Sequence, residues 1–148
     1  MTEPLRMAFE VACPVDRAFA AWASDTARWW PPSHTVTGAA GVSVRFENRV
    51  GGRIFERTPS GEEHDWGWIT AWEPPRRLVY QWHLRADRGD ATEVEIRFEP
   101  LGDRRTRVRI EHRGWERLGS RGPAWREVNQ GGWAGVLPIY RQAAEASA

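Results

Sequence analysis

Apolar and polar residues alternate in short runs along most of the chain, and only after the first run and at the C-terminal end does the spacing change to that of a helix. Leu5 to Val11 keeps one apolar register, the pattern of a half-buried strand. Pro14 then opens a short helix with Val15, Phe19 and Trp22 on one side, and Ser24 or Asp25 caps a second turn, Thr26 to Trp30, that Pro31-Pro32 stops. Ser33 to Gly41 reads as a loop. Strands follow at 42–46, 50–57, 63–73 and 77–84, the second of these entered through Gly51-Gly52 and the last two joined by Glu73-Pro74-Pro75-Arg76. The clearest hairpin pairs 91–99 with 105–113: Val94, Ile96 and Phe98 face one way with Val108, Ile110 and His112, and glutamates and arginines face the other.

After a loop from Gly114 to Gly122, Pro123 starts a helix of near 20 residues in which Trp125, Val128, Gly132, Val136 and Ile139 share a stripe that Trp133, Leu137 and Tyr140 widen. Pro138 is expected to bend its last third. Gly131-Gly132 costs about 1 kcal/mol per glycine in mid-helix, so a strand or a ligand is expected close to the backbone there. The order predicts an α+β helix-grip fold: a curved seven-stranded antiparallel sheet around one long C-terminal helix, with two short helices after the first strand, in a single domain over 1–148. One helix cannot fill a concave sheet, so an internal cavity is expected between them.

Composition sharpens this picture in a few places. The ten tryptophans suit a generous core first and an aromatic-lined pocket second. All 21 basic residues are arginine, but a formal net charge of +1 implies no nucleic-acid partner, and the arginine-rich face of 105–113 reads as cross-strand ion pairing with the facing glutamates. No apolar run is long enough for a membrane span and no basic-then-apolar leader opens the chain, which points to the cytoplasm. Cys13 reads as a small packed residue, and the four histidines show no metal-ligand spacing. Nothing resembles a phosphate-binding glycine loop or a nucleophile elbow, so no cofactor is expected and no catalytic residue is assigned.

Alternation places two ionisable residues among apolar ones: Glu56 shares parity with Ile54, and His112 with Val108 and Ile110. Each is either satisfied by neighbours or orients a ligand in a pocket walled by Trp30, Trp68, Tyr80, Trp82 and Trp133, with His34 in a loop at its mouth. An inward carboxylate and imidazole that converge would also serve as acid and base in a cyclase- or hydratase-like reaction. Trp66, Trp68 and Trp72 share one parity and Ile69 and Ala71 the other; which set faces inward is open. An outward set would make an aromatic patch for a partner or a second copy, that is, a homodimer.

The run Val50-Gly51-Gly52-Arg53, Trp66-Gly67, Trp72-Glu73-Pro74-Pro75-Arg76-Arg77-Leu78 and Trp82, with Trp29-Trp30-Pro31 before it and Gly132-Trp133 to Leu137 after it, resembles the SRPBCC superfamily. Within it, the chain is similar to bacterial proteins related to the C-terminal domain of the activator of heat shock protein 90 ATPase, over residues 5 to 145. The resemblance implies a START-like or birch-pollen-allergen-like cavity. The eukaryotic co-chaperone has a further N-terminal domain for which 148 residues leave no room. Binding of a small hydrophobic or aromatic molecule is therefore the leading expectation. A chaperone-accessory module in the stress response and an enzyme using Glu56 and His112 are the alternatives.

Overall fold

The computed structural model describes residues Thr2–Ala146. Strand β1 (Leu5–Val11) leads into helix α1 (Val15–Ala23) and the single turn α2 (Thr26–Trp29), after which six strands follow in succession: β2 (Ser43–Phe46), β3 (Arg53–Arg57), β4 (Glu63–Glu73), β5 (Arg77–Trp82), β6 (Thr92–Gly102) and β7 (Arg105–Arg113). A 3-10 stretch, Trp115–Arg121, precedes the long helix α3 (Gly122–Ala146). The strand order is β1-β7-β6-β5-β4-β3-β2, antiparallel throughout, so the first strand closes beside the last and everything between is a meander. Helix α3 runs 25 residues, longer than its pattern predicted, and continues through Pro138.

Two irregularities in β4 decide which aromatic residues enter the core. Ile54 pairs with Gly67 but Phe55 with Asp65, so Trp66 is an extra residue; Ile69 pairs with Tyr80 but Ala71 with Val79, so Thr70 is another. Each bulge shifts the alternation by one. Trp66 and Ile69 are consequently buried in the core, Trp72 packs against it, and Trp68 points to the convex face. The common parity of Trp66, Trp68 and Trp72 expected from the sequence is corrected here. Strand alternation survives only while the ladder is unbroken. There the Trp68 ring lies under the Arg88 guanidinium at 3.9 Å and beside His83, which leaves it half-buried.

The convex face of β5, β6, β7 and β1 carries the ion pairs foreseen for it. Arg113 reaches Glu93 at 2.7 Å and Glu95 at 2.9 Å, Arg77 reaches Glu95 at 2.6 Å, and Arg107 lies between Glu10 and Glu99. The concave face holds the core. Seven of the ten tryptophans are buried there or against it: Trp22, Trp29, Trp30, Trp66, Trp82, Trp115 and Trp133.

Candidate functional site

Helix α1, the turn α2 and helix α3 place their indoles on the concave sheet, and the rings meet in a continuous chain, stacked for Trp22 and Trp133 and edge-on or tilted elsewhere. Trp22 meets Tyr140 at 4.9 Å and Trp133 at 5.9 Å; Trp30 meets Trp66 at 5.4 Å and Trp82 at 5.8 Å; Tyr80 meets Trp82 at 5.5 Å and Phe46 at 5.3 Å. Each such contact adds to an already large buried apolar area. The room expected between sheet and helix is thus largely taken by the chain's own rings. A slot of about 50 Å³ remains, bounded by Trp30, His34, Trp82, Leu84, Asn129, Gly132, Trp133 and Val136.

Glu56, fully buried on β3, is spent on the loop that follows Pro31-Pro32. Its carboxylate accepts the backbone N–H of Val36 at 2.6 Å and of Thr37 at 3.1 Å, the Thr37 hydroxyl at 2.9 Å and the Trp66 indole N–H at 2.8 Å. Burial alone would raise its pKa, but these four donors outweigh that and hold it below the ordinary carboxylate range, so it stays ionised. From the other side Arg85 donates Nε–H and Nη2–H to the carbonyls of Thr35 and Ser33. The loop is clamped between them, and His34 is pressed toward α3, where a Cβ on Gly135 would stand 2.8 Å from its Nε2.

His112, fully buried on β7, is equally committed. Trp133 donates its indole N–H to Nδ1 at 3.0 Å, so the neutral ring carries its proton on Nε2 and donates it to Thr92 Oγ1 at 2.6 Å. Burial lowers its pKa to about 3. It therefore joins β7, β6 and α3 as a neutral hydrogen-bonding post. Glu56 and His112 share no partner, and strands β4, β5 and β6 lie between theirs, four inter-strand steps or roughly 19 Å along the sheet. A joint acid–base site for the two is not formed. Both residues point inward as alternation required, yet toward different neighbours.

Open space begins where the slot reaches the surface. The slot shares His34, Leu84, Asn129 and Gly132 with a recess of about 260 Å³ that adds Ser33, Arg85, Trp125, Val128 and Gly131, and this recess shares Arg85, Trp125 and Val128 with a wide groove of about 880 Å³. Together they make one trough between α3 and the loops 31–38 and 83–91. Of the residues named from sequence, Trp30, His34, Trp82 and Trp133 line it; Tyr80 lies buried, Trp68 is on the opposite face, and Glu56 and His112 are enclosed and hydrogen-bonded. Leu84, Arg85 and Asn129 carried no signal as site residues, and Trp125 was expected only on the apolar stripe of the helix. The sequence signals for this end of the trough were Trp125 and Val128 on the helical stripe and the glycine pair: a Cβ on Gly131 or Gly132 would meet nothing within 4 Å, so no strand approaches them.

Two features are absent among the described residues. No group of three His, Cys, Asp or Glu side chains is placed to hold a metal ion, and no helix is long and apolar enough to cross a membrane. Cys13 is buried, and burial pushes its thiol up to about 11, which makes it a poor nucleophile.

Comparison with known proteins agrees with this architecture. The model of the family described as Activator of Hsp90 ATPase homolog 1-like protein matches residues 12–139. The chain belongs to this family. Among solved structures, the anthrahydroquino-γ-pyrone synthase Txn09, in a complex with SUM, is 36% identical over 82% of each chain with a TM-score of 0.59. CalC, a self-sacrificing resistance protein from Micromonospora echinospora, is 28% identical, with 98% of this chain and 93% of that one covered and a TM-score of 0.68. The Aha1 dimer from Colwellia psychrerythraea shares the fold at 18% identity, 97% coverage of both chains and a TM-score of 0.66. No curated protein matches the chain.

Proposed function

We propose that this member of the Activator of Hsp90 ATPase homolog 1-like family binds a flat aromatic small molecule in the trough, with one edge in the indole slot and one face along Gly131-Gly132. The observation that carries this reading is the bare helix backbone. Two glycines stand in mid-helix where a Cβ would meet no neighbour within 4 Å, beside a slot walled by Trp30, Trp82 and Trp133. A backbone bare of side chains lets a planar ring lie flat against it. The similarity to Txn09, whose name describes a fused aromatic ring system, supports a planar ligand. The chaperone-accessory alternative rests on the family's description alone.

Tryptophan-fluorescence titration, corrected for ligand absorbance, tests it with an anthraquinone and with palmitate. The anthraquinone should quench saturably, palmitate should not, and Gly132→Leu should weaken the anthraquinone at least about tenfold while leaving the circular dichroism unchanged. Flat titrations with both ligands would remove the reading.

A further inference from the structure

Resting on that reading, a second feature of the trough defines its ligand further. Arg85 is the sole formally charged side chain lining the slot and the recess; the other polar groups there are Ser33, His34 and Asn129. Burial first, and then the neighbouring Arg85 charge, hold the His34 pKa below its ordinary value, so His34 adds no second cation at neutral pH. Arg85 has no carboxylate within ion-pair distance among the described residues, in a chain where most arginines of the sheet are paired. Asp90, further out in the groove, is held by Arg121 at 3.1 Å, and Asp87 lines only that outer groove.

Donor accounting then singles out one edge of the guanidinium. Three of its five N–H groups go to the carbonyls of Thr35 and Ser33, and the two on Nη1 have no protein partner. The fork cannot swing away without releasing the loop. Arg85 also holds a left-handed backbone, φ 61°, which costs a non-glycine residue roughly 1–2 kcal/mol and is characteristic of residues fixed for a purpose. An oriented cation with no carboxylate partner, beside an indole-walled slot and a bare glycine face, is a receptor for an anion attached to a flat aromatic body.

We propose that Arg85 determines the ligand class of the trough: a flat aromatic molecule bearing one carboxylate, which the free Nη1 N–H groups bind while the ring enters the slot. The test is a calorimetric titration of the intact protein with anthraquinone-2-carboxylate and its neutral twin, anthraquinone-2-carboxamide. Wild type should prefer the carboxylate by about 2- to 5-fold, the range of an ion pair at an exposed arginine that water partly screens. Arg85→Gln also gives up contacts to the loop and should weaken both twins, the carboxylate by the larger factor so that the preference falls to about one, and Arg85→Lys, which keeps the charge and loses the fork, should retain part of it. Equal binding of the twins by wild type, or a preference that survives Arg85→Gln, overturns the proposal and leaves the aromatic site intact. Absence of binding by either twin overturns both.

Discussion

Glu56 illustrates how one side chain can be read correctly for position and still be misjudged for role. Its parity with Ile54 gives an inward carboxylate, and a buried carboxylate needs donors. Those donors come from Val36 and Thr37, which stand about twenty residues upstream in a loop that carries no periodic signal, and from Trp66, which a bulge turns inward. Replacing it in Glu56→Gln leaves an amide that cannot accept all four N–H and O–H groups. We expect a loss of about 2–3 kcal/mol in urea denaturation and weaker protection of the Val36 and Thr37 amides in hydrogen exchange. Because its folded pKa lies below the unfolded one, the stability Glu56 contributes is present above about pH 4.3 and is lost as pH falls through the folded value. A variant as stable as wild type at pH 7 would contradict the latch.

Glycines on two elements should respond to the same substitution with opposite signs. Gly67 sits in β4 beside the Trp66 bulge, where a Cβ would overlap the Gln81 carbonyl oxygen of β5. Gly131 sits in α3 with open space where its Cβ would go. Gly67→Ala should cost about 1–3 kcal/mol through forced separation of β4 from β5. Gly131→Ala should add up to about 1 kcal/mol from helix propensity alone. Denaturant midpoints of the two variants, measured side by side, check both; a stable Gly67→Ala would mean that the ladder beside the bulge yields easily. The contrast also separates two uses of glycine. In β4 it is required by a neighbouring strand, whereas in α3 no neighbour requires it, which is why the helix pair bears on function.

His112 acts at the scale of the whole molecule, because its ring ties the last two strands of the meander to the closing helix. With a folded pKa near 3 and an unfolded one near 6.5, the unfolded chain takes up the proton first as the solution is acidified. Stability from the neutral ring is therefore complete above about pH 6.5 and declines as pH falls toward 3. Between pH 7 and pH 5 Glu56 stays ionised in either state, and His34, also lowered, adds to the slope in the same direction. Wild type should lose about 2 kcal/mol over that interval from His112, and His112→Phe should flatten the loss to the remainder. An unchanged slope in the variant would show that the imidazole is not the proton acceptor. The same ring network explains the small interior space: Trp22, Trp30, Trp82 and Trp133 fill the interval between sheet and helix, and the remaining volume lies at the surface end.

Local pattern was sufficient for the strands, the helices and their order. Period-two alternation, turn glycines and prolines act between near neighbours, and β1, β4 and β7 match their expected bounds residue for residue while the other four strands differ by a few at their ends. The inward direction of Glu56 and His112 followed from the same rule. Tertiary structure alone decided the rest. The two bulges of β4 depend on pairing with β3 and β5, so Trp66 and Trp68 part company only in the assembled sheet. The fate of the cavity depended on how far α3 could sink into the indoles, and the partners of Arg85 depended on a loop fifty residues away. Periodicity reports which face a side chain takes; it carries no information about what meets it there, because that distance is set by the whole chain at once.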